Sequence, residues 1–171
     1  MPRYPGVFAI LLATIAVPAA AQEPAYVQLE PGAFQSFVRN WTPSSRPLCA
    51  AIRSQAEWDL IMSPAATMGS SKPFGPPADF WSSSAVLLVA RVVDAGDMAQ
   101  VFRLQRVGRA AGTIDIAYGF TPPPKASSTM KWWLGVEVEK PLPKTIRFVE
   151  EGRVVCTLAP AAGAWRSIAA P

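Results

Sequence analysis

The sequence offers few side chains for acid–base or nucleophilic chemistry. Its 171 residues contain no histidine, which removes the commonest general base, the Ser-His-Asp and Cys-His arrangements and most zinc sites. Glu137 and Glu139 share one face of a strand pattern, but alternating glutamates on an exposed strand face are an ordinary way to stay soluble. Glycine-rich phosphate loops and dense acidic calcium loops are missing. The residues therefore predict a protein that is not an enzyme, with no catalytic residue, no metal site and no cofactor.

The two cysteines, Cys49 and Cys156, are the other reactive side chains. An even count in an exported chain suggests a bridge, and two cysteines permit a single intramolecular pairing. We therefore predict a Cys49–Cys156 disulfide, with two buried free thiols as the alternative. Closing a loop of about 107 residues would stabilise the fold by roughly 4–5 kcal/mol in the chain-entropy model.

The candidates for a partner or ligand surface are three aromatic residues: Trp133, Tyr118 and Phe120. Trp132 and Trp133 fall on opposite faces of one strand, so one of them points away from the core unless another segment covers it. A partly exposed tryptophan on a sheet is the type of anchor that interface hot spots use. The alternative is that loop 63–78, or the C-terminal segment with Trp165, covers Trp133.

Asp79 stands just ahead of a long apolar run and is followed by Phe80 and Trp81. An aspartate in such a turn is well placed to accept hydrogen bonds from backbone amides. We therefore assign Asp79 a structural role in the turn rather than a role in ligand binding.

The formal charge of +4 comes from basic residues that are scattered along the chain. The nearest approach to a cluster is Arg103, Arg106 and Arg109, which we interpret as a solvated hairpin end. A nucleic-acid binder would concentrate its basic residues on one stripe with interleaved aromatics, so no nucleic-acid partner is expected.

Residues 1–21 have the three parts of a cleaved signal peptide. Arg3 supplies a positive charge, Val7 to Val17 form an apolar stretch, and Ala19 to Ala21 give a small-residue cleavage site. A membrane anchor is the alternative, but the apolar run is shorter than the ~20 residues that span a bilayer. We predict export to the bacterial periplasm or the extracellular space, and a mature chain without a transmembrane segment.

The rest of the chain predicts one α+β domain, a mainly antiparallel twisted β-sheet with one short helix packed on it. Residues 22–47 form an N-terminal extended segment, residues 48–158 the β-rich domain, and residues 159–171 a frayed tail rich in alanine and proline. The helix begins with a capping box, in which Ser54 and Glu57 cap each other's backbone amides, and ends at Ser63-Pro64.

The strands are predicted from runs of apolar residues. Ala85 to Val93 is continuously apolar, which is typical of a central strand covered on both faces. The later runs alternate, most clearly from Met130 to Glu139. Hairpins are predicted at Gly108 to Gly112 and at Glu150-Glu151-Gly152, and Pro122-Pro123-Pro124 forces an extended excursion between two strands.

Three further segments form a pattern. They are Ile52-Arg53-Ser54-Gln55-Ala56-Glu57-Trp58, then Asp79-Phe80 followed by Val86-Leu87-Leu88-Val89, and finally Val136 to Lys140 followed by Ile146-Arg147-Phe148. Together they resemble the PrcB-type protease complex subunit family, over about residues 50–150. The resemblance implies a small, exported, β-rich domain without catalysis. It also implies a binding or stabilising role beside a secreted protease.

The sequence therefore predicts an exported accessory domain that binds another protein, such as a protease, through a sheet face or loop 63–78. A small-ligand or cell-envelope glycan-binding module that uses Trp133, Tyr118 and Phe120 is the alternative.

Overall fold

The computed structural model describes residues 26–29, 31–39, 46–65, 71–97, 101–161 and 164–169. The predicted signal peptide lies outside these residues. The described helices are α1 (Gln55–Ile61), α2 (Phe80–Ser83) and a 3₁₀ turn at Pro31–Ala33. The described strands are β1 (Val27–Leu29), β2 (Ser36–Val38), β3 (Leu48–Ile52), β4 (Met62–Pro64), β5 (Ser84–Asp94), β6 (Phe102–Ala110), β7 (Thr113–Phe120), β8 (Thr129–Glu139), β9 (Thr145–Glu150), β10 (Arg153–Ala161) and β11 (Ala164–Ala169). Within these ranges, no helix has the length and apolarity to cross a membrane.

The strands form three sheets instead of the single sheet predicted. A four-stranded sheet has the order β1-β8-β5-β3, a five-stranded sheet has the order β11-β10-β9-β7-β6, and β2 pairs with β4. The prediction of a mainly antiparallel β-protein with little helix is confirmed. Its finer form differs in two respects, since the described residues contain two short helices and one parallel strand pair, β7 with β9.

The parallel pair arises because β8 leaves the sheet to which its sequence neighbours belong. From β7 the chain crosses to the four-stranded sheet, where β8 pairs with β5 along its full length, from Ser84–Glu139 to Asp94–Thr129. It then returns to place β9 beside β7. Strand pairing between sequence neighbours, which the alternating pattern suggests, is thus interrupted at β8.

The four-stranded sheet is buried on both faces, and β5 is its central strand, as the continuous apolar run predicted. Leu87 and Val89 face the five-stranded sheet, in a core shared with Ile116 and Phe148. Val86 and Leu88 belong to a second core on the opposite face. That second core is closed by the helices and by the β2–β4 pair; we call this covering the outer layer.

Helix α1 is positioned by the predicted cap, with one difference. The Ser54 hydroxyl accepts a hydrogen bond from the Glu57 amide at 3.2 Å, as expected. The Glu57 carboxylate, however, accepts from the Arg53 amide at 2.6 Å rather than from Ser54, and it also pairs with the Arg53 guanidinium. The helix ends at Ile61, earlier than predicted, because Met62–Pro64 becomes strand β4.

The two predicted hairpins are present. The turn of the second lies at Glu151-Gly152, where both residues have positive φ (46° and 80°), a geometry that suits a two-residue hairpin connection. The first turn is tighter than predicted, because β6 continues to Ala110 and leaves only Ala111 and Gly112 between the strands.

The prediction of a frayed tail over residues 159–171 is wrong for most of that segment. β10 runs to Ala161, and β11 pairs with it from Ala161–Ala164 back to Cys156–Ala169. The backbone of β11 thereby adds an outer strand to the five-stranded sheet, beside β10.

Candidate functional site

The sulfur atoms of Cys49 and Cys156 lie 1.99 Å apart, as the predicted disulfide requires. Cys49 belongs to β3 and Cys156 to β10, so the bridge joins the two large sheets. Both residues are buried in the core between the sheets. The disulfide is therefore a structural cross-link.

The prediction that Trp133 lies on a binding surface is wrong, since its exposed fraction is 2%. As alternation predicts, the Trp133 side chain lies on the other face of β8 from Leu134 and Val136. The face that carries Trp133 is covered by the outer layer and by Phe34. The Phe34 ring stacks on Trp133 at 6.5 Å between centroids, and the Trp58 ring of α1 packs edge-on at 6.2 Å. Loop 63–78, one of the two predicted coverings, contributes to this cluster: Phe74 packs against it, and the Phe74 ring lies 6.5 Å from the Trp58 ring between centroids. The Trp165 side chain, the other predicted covering, lies outside the described residues.

The prediction that Tyr118 belongs to a surface is also wrong, because it is fully buried between the sheets. Its hydroxyl donates to the Glu150 carboxylate at 3.0 Å, and the Arg91 guanidinium donates to the same carboxylate at 2.8 and 2.9 Å. Arg91 also lies 4.7 Å above the centre of the Phe120 ring. Phe120 is half-buried, so the three aromatics do not form the exposed platform that a glycan would need.

The Tyr118 hydroxyl is held in its neutral form. Burial raises the pKa of Tyr118 well above its usual range, and the charge and hydrogen bond of Glu150 raise it further, while Arg91 opposes them. Glu150 thus serves as an acceptor between a neutral phenol and a guanidinium. This arrangement links β5 to β7 and β9 and is structural.

Asp79 lies in the predicted turn, but its side chain does not cap the following helix. The carbonyl oxygen of Asp79 instead accepts hydrogen bonds from the Ser82 amide at 3.1 Å and the Ser82 hydroxyl at 2.6 Å. The structural role predicted for Asp79 therefore belongs to its backbone, since the carboxylate is exposed.

A groove of about 640 Å³ lies at the end of the four-stranded sheet where β8 finishes. Tyr26 and Val27 line it at the start of β1, residues 82–84 line it from the end of α2 to the start of β5, and Arg109 reaches it from β6. The remaining lining residues are Glu137, Glu139 and Lys140. We refer to these nine residues as the groove. A concave region with several convergent polar groups is the usual form of a binding site.

Ser84 and Glu137 form a fixed pair within the groove. The Ser84 hydroxyl donates to the Glu137 carboxylate at 2.8 Å, and Ser84 itself is buried. A carboxylate is a weak base for a serine hydroxyl, and a buried hydroxyl cannot reach a substrate. The hydrogen bond therefore holds Glu137 in place and does not form a nucleophile.

The two cations of the groove are tied to backbone carbonyls. The Lys140 ammonium donates to the Arg53 carbonyl at 2.9 Å and to the Trp81 carbonyl, and the Arg109 guanidinium donates to the Pro141 carbonyl at 3.0 Å. Both residues position neighbouring loops. Glu139 differs from them, because its carboxylate is exposed and makes no ion pair or hydrogen bond with any residue that the structure describes.

The groove therefore combines one exposed carboxylate, that of Glu139, with the Ser84–Glu137 pair and two cations that are held by backbone carbonyls. Sequence reasoning singled out Glu137 and Glu139 but missed Ser84, Arg109 and Lys140. Nothing in the sequence indicated these three, because the groove is assembled from β1, α2, β6 and β8, which are far apart along the chain.

Comparison of the chain with protein-family models, with curated proteins and with solved structures finds no match. The resemblance to the PrcB-type family therefore stays a prediction.

Proposed function

We propose that the protein is an exported accessory domain that binds another exported protein, such as a protease, at the groove, and that it does so without catalysis. The groove is the observation that carries the proposal. The signal-peptide pattern of residues 1–21 and the Cys49–Cys156 pair support export, since disulfides persist in oxidising compartments. The PrcB-type resemblance supports the choice of a protein partner.

An extended segment of the partner fits the groove better than a compact one. Strand β1 covers β8 only at residues 135–137, although β8 has eleven residues. Val27 on this edge is 52% exposed. A peptide that runs along the edge strand could therefore place apolar atoms on Val27 and a side chain in the groove.

The charge of that side chain follows from the groove's own residues. Lys140 and Arg109 are occupied by carbonyl oxygens, whereas the Glu139 carboxylate faces solvent. A lysine or arginine of the partner would gain an ion pair with Glu139 and hydrogen-bonding partners in the exposed hydroxyls of Ser82 and Ser83. The proposed partner segment is therefore extended and basic.

Site-specific photo-crosslinking tests this proposal. A photoreactive residue at Val27 should capture a defined partner in the exported fraction, while the same residue at Val154, which is 39% exposed on the five-stranded sheet, should not. Glu139→Lys should weaken the complex by ~10-fold or more, because it replaces attraction by repulsion. Glu151→Lys, at an exposed turn, is the matched control and should have no effect. Equal capture from both positions, or an unchanged complex with Glu139→Lys, would contradict the groove as the binding site.

A further inference from the structure

The connection from β7 to β8 has features that the groove proposal does not use. Residues 121–128 have the sequence Thr-Pro-Pro-Pro-Lys-Ala-Ser-Ser, and we call them the proline loop. All of them are exposed except Pro123, which is half-buried. At ~3.4 Å per residue of strand, the proline loop lies about 30 Å from the groove, at the opposite end of β8.

The proline loop is held in one extended shape. Each proline fixes its own φ and disfavours helical backbone in the residue before it, so residues 121–124 are confined to extended conformations. The two ends of the loop are also pinned: the Thr121 amide donates to the Val101 carbonyl at 3.0 Å, and the Ser128 carbonyl accepts from the Ala95 amide at 2.9 Å. Pro123 packs against Gly96, with its Cβ 3.5 Å from where a Cβ of Gly96 would lie.

Lys125 is the single charged residue of the proline loop. It follows the three prolines directly and is exposed, and it makes no hydrogen bond or ion pair with any residue in the described ranges. The next residue is Ala126, which adds little bulk. The loop therefore presents one exposed lysine directly after a stretch of extended, proline-restricted backbone, with a small residue after it.

Such a segment matches the substrate cleft of a serine protease that cleaves after basic residues. These enzymes bind an extended chain and recognise one side chain in a specificity pocket, and an aspartate at the base of that pocket selects lysine or arginine. A segment whose backbone is already extended loses less conformational freedom on binding an extended-chain cleft, and complexes of proteases with pre-organised loops form with small backbone changes.

We propose that the proline loop enters the active-site cleft of a trypsin-type protease, with Lys125 in the specificity pocket, and inhibits that protease reversibly. The partner class follows from the lysine and from the extended backbone of the loop. The proposal goes beyond the groove, because it assigns a second binding surface that acts on the active site of its partner. Loss of one surface should leave binding at the other intact.

Inhibition assays with purified protein and two proteases test this proposal. The protein should inhibit a trypsin-type protease at micromolar concentration or below, and should not inhibit a chymotrypsin-type protease. Lys125→Ala should weaken inhibition of the trypsin-type protease by ~100-fold or more, the effect of removing a hot-spot anchor. Lys125→Arg should keep inhibition within ~10-fold, since both cations fit an anionic pocket.

Two further variants separate specificity from a general charge effect. Lys125→Leu should gain inhibition of the chymotrypsin-type protease, because an apolar pocket accepts leucine. Lys144→Ala removes another exposed lysine and should change nothing. Circular dichroism and the melting temperature should be unchanged in all four variants, because the substituted side chains are exposed.

Three results would overturn the proposal: no inhibition of the trypsin-type protease, equal inhibition by the Lys125→Ala variant, or rapid cleavage of the Lys125–Ala126 peptide bond without inhibition. None of them bears on the groove, which Glu139→Lys tests separately. Conversely, a failed crosslink at Val27 would leave the proline-loop assay informative.

Discussion

The two faces of the four-stranded sheet are packed by different means. The face toward the five-stranded sheet holds mainly aliphatic side chains, such as Leu87 and Val136, together with the disulfide. Its buried rings, Phe102, Tyr118 and Phe148, lie among these aliphatic side chains. The face toward the outer layer uses rings: Trp58 lies within 6.2 Å of both Trp81 and Trp133 between centroids, and the Phe34 ring lies 5.5 Å from Trp58.

The difference follows from the elements that cover each face. The five-stranded sheet brings long, regular strands, and two sheets ~10 Å apart are filled by ordinary alternating side chains. The outer layer consists of a seven-residue helix, a four-residue helix and three-residue strands. Such short elements have few backbone hydrogen bonds of their own. Large buried rings such as Trp58 and Trp81 contribute to holding them against the sheet.

The first test of this comparison removes the disulfide from the aliphatic face. The double variant Cys49→Ala and Cys156→Ala should lose roughly 4–5 kcal/mol of unfolding free energy in the chain-entropy model, because the bridge closes a loop of 107 residues. Urea denaturation followed by circular dichroism measures the loss. The near-ultraviolet signal of the three tryptophans should persist in the folded variant, since they lie on the other face. An unchanged urea midpoint would contradict the cross-linking role.

The aliphatic face is also the part of the fold that the sequence predicts best. Alternation along β7 and β8 predicts that every second side chain shares one face, and Ile116, Leu134 and Val136 are all buried in the core between the sheets. The even cysteine count indicated the disulfide. These predictions succeed because a strand's side chains alternate whatever the strand pairs with.

The outer layer was predicted less well, because its contacts are long-range. Alternation correctly placed Trp133 away from Leu134, but it carries no information on what covers a face. Phe34 comes from a segment about one hundred residues earlier in the chain, and the sequence gives it no recognisable pattern. The groove was missed for the same reason, since Ser84, Arg109 and Lys140 meet only after the sheets have formed.

The second test overpacks the aromatic face. A Cβ at Gly135 would lie 2.7 Å from the Trp133 ring and 3.2 Å from the Leu29 Cβ, so Gly135→Ala should destabilise the fold by about 1–3 kcal/mol. The near-ultraviolet circular dichroism should also change, because the Trp133 ring must move. Gly32→Ala is the matched control: nothing lies within 4 Å of its added Cβ, and its effect should be within about 0.5 kcal/mol. Equal effects of the two variants would show that the rings are loosely packed.

The smallest expected change in unfolding free energy is at the start of α1, where the Glu57 carboxylate contacts Arg53 near the surface. Burial raises the pKa of Glu57, but the hydrogen bonds from the Arg53 side chain and backbone, with the charges of Arg53 and Lys140, outweigh it and lower the pKa below its usual value. A carboxyl whose pKa is lowered by folding stabilises the fold above its unfolded-state pKa, about 4.3. That stabilisation is lost as the pH falls through the lower folded-state pKa.

Glu57→Gln should therefore cost about 0.5–1 kcal/mol at pH 7, the usual size of a helix cap or an exposed ion pair. The cost should shrink toward zero near pH 2, where the wild-type carboxyl is also neutral. Urea midpoints of both proteins at the two pH values measure this change. Glu151→Gln, an exposed carboxylate without an ion pair among the described residues, should have no effect at either pH. A loss of stability that persists at pH 2 would mean that Glu57 stabilises α1 through packing rather than charge. The outer layer would then be held by side-chain packing without a charge contribution from Glu57, as the ring cluster beneath it is.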